Sequence, residues 1–177
     1  GLGEMLREMN AKLKRILPVD MFCCAHVICV SALRRSLEVW SGGMPDGYLH
    51  TLATGQRTAL SSQHVPLGVL KAKAFDHSTR VLPMLPGDQL FLLTDGVTET
   101  TGPDEQLFGA QRLQRVLEAN RDPQHLIDEV EQALRQFQGQ IRDDVSMVQI
   151  TSQVPQHLGM PAMLYTDSGQ CSPLDWS

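Results

Sequence analysis

Two acidic corners carry the chemistry that can be read in this chain: Leu92-Leu93-Thr94-Asp95-Gly96-Val97-Thr98-Glu99 and Arg142-Asp143-Asp144-Val145-Ser146. In each, an aspartate stands at the end of an apolar run that reads as a strand. The first is followed by glycine and the second by another aspartate. A carboxylate at a strand end is held by a rigid sheet, yet it can point out of the rim. Two such carboxylates converging from different strands can bind a hard divalent cation such as Mg2+ or Mn2+, which prefers oxygen ligands. Each corner also has a plain structural reading. Thr94-Asp95-Gly96 fits an ordinary turn in which Asp accepts backbone hydrogen bonds and Gly supplies a positive φ. Arg142-Asp143-Asp144 fits an exposed loop whose arginine compensates the acid pair. Taken singly, neither corner establishes a site.

Other reactive residue types offer less. The cysteines are Cys23, Cys24, Cys29 and Cys171. Cys23 and Cys24 are adjacent on an expected strand and would face opposite sides of it, a geometry that does not chelate a common metal. They also lack the paired spacing of a zinc site. Buried thiols in a reducing cytoplasm are the expectation. The histidines, at 26, 50, 64, 77, 125 and 157, form no H-x-x-x-H or similar cluster, so no imidazole catalyst is indicated.

The corners need elements to position them. Leu2, Met5, Leu6, Met9, Leu13, Ile16 and Leu17 recur at helical spacing, with charged residues opposite, and Pro18 ends this helix. Residues 21–31 form an apolar run that suggests a strand covered on both faces, although periodicity alone leaves a buried helix open. Residues 36–41 alternate as a strand, the Gly42-Gly43-Met44-Pro45-Asp46-Gly47 stretch reads as a turn, and 48–53 as another strand. Residues 54–66 are polar and loop-like. Strands are expected near 72–82 and 88–94, helices near 109–120 and 123–138, and a last strand over 145–151. The order is helix, consecutive strands, two helices, strand, which favours antiparallel sheets in an α+β layered fold.

The 177 residues suit one domain with a real core. Composition is ordinary for a globular protein, 42% hydrophobic and 20% charged, with a formal net charge of −5. That acidity argues against nucleic-acid and anionic-membrane partners, since neither would be steered toward it. No apolar run approaches the roughly 20 residues that span a bilayer, and no secretory signal pattern is present. The chain opens on Gly1 and stops just after Leu174-Asp175-Trp176, and the expectation is a fragment of something longer.

Read in order, the motifs resemble a known family. Phe91 to Glu99, then Leu107-Phe108-Gly109, two helices and Arg142-Asp143-Asp144-Val145-Ser146, resemble the SpoIIE/RsbU-type branch of the metal-dependent PP2C (PPM) serine/threonine phosphatases. Pro66-Leu67-Gly68-Val69 is similar to the family's P-L-G-V segment, and Pro86-Gly87-Asp88 to its P-G-D turn. Ser41-Gly42-Gly43-Met44-Pro45 occupies the place of its N-A-G-H-x-P turn, with Met44 where histidine is usual. The resemblance covers about residues 1–151.

The resemblance implies an α-β-β-α sandwich of two antiparallel sheets flanked by helices, with a binuclear Mn2+ or Mg2+ centre at one edge. In that family a metal-activated water attacks the phosphoserine phosphorus, so no side-chain nucleophile is expected. By motif position Asp95 and Asp143 match two metal-binding aspartates. Asp144 is expected to orient Asp143, Gly96 to leave room beside the metal, and Glu99 to be structural. The substrate implied is a phosphoserine or phosphothreonine protein, by analogy an anti-anti-sigma factor of a partner-switching pathway in the cytoplasm. A homodimer is left open.

The chain departs from the family upstream. The family's G-D-x-x-D strand and its D-G or D-x-x-G-H-G segment are missing, and they supply the aspartate that bridges the two metals. The expectation is therefore the C-terminal two thirds or so of a phosphatase domain over 1–151, incomplete at its N-terminus, whose parent is active while this piece alone has little activity. Residues 152–177 read as a linker or the start of a further domain. The competing reading is a non-catalytic phosphatase-like adaptor that binds a sigma-factor regulator; the pair Asp95 and Asp143 argues against it.

Overall fold

The structure, a computed structural model, describes residues 1–31, 33–137 and 144–153. Helix α1 spans Leu2–Ile16 and is followed by β1 (Ala25–Ser31), β2 (Ser36–Gly42), β3 (Gly47–Thr51), β4 (Gln56–Leu60), β5 (Arg80–Pro83) and β6 (Gln89–Leu93). Then come a one-turn helix α2 (Gly96–Glu99), α3 (Gly109–Ala119), a 3₁₀ turn at Pro123–His125, α4 (Leu126–Gln136) and β7 (Met147–Thr151). The strands make two antiparallel sheets, ordered β1-β2-β5 and β4-β3-β6-β7.

Side-chain alternation along single strands builds the layers. On β2, Leu37 and Val39 face the other sheet and meet Leu49, Leu60 and Leu90 from it. Trp40, one residue out of phase, points to the opposite face and packs with Leu2 and Leu6 of α1. On β6, Phe91 and Leu93 face away from the first sheet and are covered by Leu113 and Leu117 of α3 and Leu126, Val130 and Leu134 of α4. The result is the expected α-β-β-α sandwich. Apolar burial is the main term holding it, at about 25 cal/mol per Å² removed from water.

Polar bolts tie the layers. Asn10 lies on the buried stripe of α1, donates to the Leu70 carbonyl at 3.0 Å and accepts from the Gly68 amide at 2.9 Å. It thereby fixes the Pro66-Leu67-Gly68-Val69 segment to the helix. Arg57 of β4 donates to the Leu117 carbonyl and, at 2.7 Å, to the Asn120 side chain, clamping the second sheet to the end of α3. Asp88 is only 3% exposed, and its two carboxylate oxygens accept from the amides of Leu52 (2.9 Å) and Leu85 (2.7 Å).

Several expectations are corrected. The polar stretch 54–66 contains β4, which reads as loop because it is an edge strand with Gln56, Thr58 and Ala59 in solvent. The strand expected over 72–82 shrinks to Arg80–Pro83, because the chain first turns at Lys71–Phe75 to bury Phe75 against Trp40. The run 21–31 is not covered on both faces. Its strand starts at Ala25, Phe22 is 56% exposed, and Cys29 and Val30 face solvent, since β1 is the outer strand of its sheet among the described residues. Cys23, Cys24 and Cys29 are accordingly exposed rather than buried, and the first two precede the strand. α1 stops one residue short of Leu17, and the helix expected over 123–138 begins with a 3₁₀ turn. The last strand starts at Met147 rather than 145. Cys171, His157, Arg142, Asp143 and residues 154–177 of the expected linker lie outside the described residues.

Candidate metal centre

Asp95 lies two residues past the end of β6 and is the N-cap of α2, so the plain Asp-Gly turn gives way to a strand-to-helix junction. Its backbone carbonyl accepts from the Glu99 amide at 2.8 Å and the Thr98 hydroxyl at 3.0 Å. Its carboxylate makes no capping bond to the helix and is exposed, which leaves the oxygens directed to solvent. Gly96 is buried, and its carbonyl accepts both the amide (3.1 Å) and the hydroxyl (2.8 Å) of Thr100. Glu99 is exposed and serves the helix through its backbone.

The second corner is brought to the first by the β6–β7 ladder, whose last strand pair is Leu93 with Met147. Beyond it, Thr94 extends the contact. Its amide donates to the Ser146 carbonyl at 3.0 Å, its hydroxyl accepts from the Ser146 amide at 2.9 Å, and the same hydroxyl donates to the Asp144 carbonyl at 3.0 Å. Thr94 is thus a clamp that holds the backbone of 144–146 beside the residue preceding Asp95. Sequence reasoning passed it over. The signal available was a hydroxyl residue at the strand end immediately before the acid.

The other family-like segments meet one another. Cys23 and Leu67 exchange backbone hydrogen bonds of 2.9 Å in both directions. Gly43 adopts φ +71°, and a Cβ there would lie 2.6 Å from Pro66 Cγ and 2.8 Å from Cys24 Sγ, so the turn closes only with glycine. Partial burial, the nearby charge of Asp95 and then Cys23 push the Cys24 thiol up. His26 Nε2 meets the Pro45 carbonyl at 3.1 Å, and burial holds its imidazole below the ordinary value against the opposing influence of that bond and of Asp46.

The donor set decides what this rim can hold. Among the described residues, no group of three or more His, Cys, Asp or Glu side chains is placed to bind a metal ion. Asp95 offers one exposed carboxylate; Asp143 lies outside the described residues, and Asp144 is exposed next to the clamp. A hard divalent ion with six or more oxygen ligands is not satisfied by that set. The described residues therefore do not make up a metal site, and no catalytic step can be written through one.

Comparison with known proteins matches this geometry to a family. The family model for Stage II sporulation protein E (SpoIIE) matches residues 1–153. Protein IcfG of Synechocystis sp. is 28% identical over 119 residues, which cover 56% of this chain and 19% of IcfG. The SiaA-PP2C domain of Pseudomonas aeruginosa superposes with a TM-score of 0.66 at 20% identity, over 84% of this chain and 60% of that one. The RsbU and RsbW domains of Rv1364c from Mycobacterium tuberculosis give 0.65 at 20% identity, over 86% and 42%. The Mn-presoaked phosphatase domain of the cell fate determinant SpoIIE from Bacillus subtilis gives 0.58 at 15% identity, over 85% and 73%. The chain therefore spans about a fifth of the length of IcfG and 60% of the SiaA-PP2C chain. Among the described residues, no helix is long and apolar enough to cross a membrane. With the four-layer sandwich and the family match over residues 1–153, this chain belongs to the SpoIIE family and has the fold of a PP2C phosphatase domain of the SpoIIE/RsbU type.

Proposed function

We propose that this chain is the larger part of a metal-dependent protein serine/threonine phosphatase domain, and that Asp95 and Asp143 are its share of the metal ligands. The observation that carries the proposal is the Thr94 clamp, which joins the two acid-bearing strand ends at one rim. The ion is Mn2+ or Mg2+; a manganese-soaked relative of the same fold supports that choice. When bound in the complete domain, it would supply an activated water and neutralise phosphoryl charge. The chain's own residues contribute the rest: β6 and β7 set the spacing of the corners, Asp144 orients Asp143, and buried Gly96 leaves room at the junction. The substrate is a phosphoserine or phosphothreonine protein, in particular an anti-anti-sigma factor, acted on in the cytoplasm.

Under this proposal the remaining ligands come from acidic motifs that these 177 residues do not contain. The purified 177-residue chain is accordingly expected to hydrolyse a phosphoserine substrate feebly with Mn2+, and the full-length parent to do so well. In the parent, Asp95→Asn or Asp143→Asn should abolish activity while circular dichroism stays native. Near-normal rates in either variant at saturating Mn2+ reject its role as a ligand. A full-length parent that folds, binds its protein partner and never turns over phosphoserine is instead the adaptor.

A further inference from the structure

A groove of about 350 Å³ runs along β4, the outer strand of its sheet, with α3 as the facing wall. Gly55, Arg57 and Ala59 line it on the strand side, Leu117 and Glu118 on the helix side, and Asp46 beside the start of β3. None of the residues lining it belongs to the two acidic corners. We propose that the groove takes an extended segment of a partner protein, added as a strand to β4 and carrying a lysine or arginine toward Asp46 and Glu118. The inference is independent of the phosphatase reading.

The first argument is the backbone. Among the described residues, β4 pairs with β3 on one side and with no strand on the other. No backbone group of residues 57–59 is bonded outside the ladder there. An outer strand presents alternate N–H and C=O groups to solvent, and an added strand satisfies them. Successive residues of a strand face opposite sides, so Arg57 and Ala59 look toward α3 while Leu60 turns into the core between the sheets. A segment paired with β4 would therefore lay every second side chain against α3. The five residues of β4 set its length, at roughly 17 Å of extended chain.

Charge then selects the segment. Asp46 and Glu118 are exposed, and neither forms an ion pair among the described residues. Glu118 accepts from the Gln114 amide at 3.0 Å, a neutral donor that leaves its charge in place. Among the described residues Arg57 is the one cation lining the groove, and its guanidinium is anchored on α3. It donates to the Leu117 carbonyl and, at 2.7 Å, to the Asn120 side chain. Two carboxylates free to turn against one tethered guanidinium leave the groove net negative, so a basic side chain is attracted and an acidic one repelled. Tyr48, half-buried and opposite Ala59 in the ladder, gives the stem of that side chain an aromatic surface to lie on.

The test titrates the purified chain with a blocked pentapeptide of alternating threonine and valine around a central lysine, followed by amide NMR. Saturable shifts at residues 55–60 and 114–118 are expected, with slowed amide exchange in β4. Glutamate in place of the peptide's lysine should weaken binding roughly tenfold, and N-methylating the peptide backbone should abolish it. Asp46→Asn combined with Glu118→Gln should weaken the lysine peptide about fivefold, while Glu8→Gln on α1 leaves it unchanged. If the double variant misfolds, Glu118→Lys decides alone, by reversing the preference between the two peptides. No saturable shift, shifts confined to other elements, or equal affinity for the two peptides overturns the proposal. So does a dimer through β4 that forms without peptide and ignores Glu118→Lys, which would assign the strand to a second copy.

Discussion

Thr94→Val is the sharpest probe of how the acidic corners are joined. Valine keeps the β-branched shape and the strand preference of threonine, and the amide bond from residue 94 to the Ser146 carbonyl survives. Two interactions go: the Ser146 amide loses its acceptor at 2.9 Å, and the Asp144 carbonyl loses its donor at 3.0 Å. Neutral hydrogen bonds contribute about 0.5–1.5 kcal/mol each. Both lie at an exposed strand end where water can replace them, so the sum is expected at about 1–2 kcal/mol. Urea denaturation should show a lower midpoint at unchanged slope, because the surface exposed on unfolding does not change. Amide exchange at Ser146 should accelerate in Thr94→Val and stay native in Thr94→Ser, which retains the hydroxyl. Under the proposed phosphatase reading, the valine variant of the full-length parent should also lose Mn2+-dependent activity, since the hydroxyl's hold on the backbone of Asp144 and Ser146 is gone. A stability loss below about 0.5 kcal/mol, the scatter of neutral surface changes, together with unchanged Ser146 exchange, would refute the clamp.

Three further outcomes follow from the same structure. Asp88→Ala strands the Leu52 and Leu85 amides beneath the β5–β6 turn and should cost about 2–4 kcal/mol in chemical denaturation, with Asp88→Asn milder because one acceptor remains. Gly43→Ala forces an L-residue to φ +71° and drives its Cβ against Pro66, so thermal unfolding should show a loss of about 1–3 kcal/mol. For His26 the unfolded imidazole takes a proton near 6.5 while the folded one resists it, so the unfolded state binds more protons and stability falls as pH drops below that value. His26→Asn should flatten the stability profile between pH 7 and 5; an unchanged slope would remove His26 from the account.

The fold and the site were legible to different depths. α1 was readable because it buries one face and a helical period marks that face, and β2 because its residues alternate, although the structure covers it on both sides. β4 was not, because an edge strand half in solvent carries the same polar composition as a loop. The run 21–31 misled in the opposite direction: its apolar character suggested two covered faces, while the structure leaves Phe22, Cys29 and Val30 in solvent. Asp95 was found as a strand-end acid, yet its place as helix N-cap rested on α2, too short for any periodicity to reveal. Thr94 and Asn10 were missed for a common reason. Their partners lie 50–52 and 58–60 residues away, and no local pattern encodes such a distance.

The sequence by itself determined the order of the motifs, the family they resemble and the two aspartates that match its metal ligands. It did so because motif order and residue type survive without coordinates. Only the tertiary structure decided which strand ends meet. Antiparallel pairing of β6 with β7 carries the Asp144 backbone to Thr94, across a separation that sequence spacing cannot express. The pairing of β3 with β4 and the packing of α3 likewise set Asp46 and Glu118 on one groove, a consequence of three-dimensional contact alone.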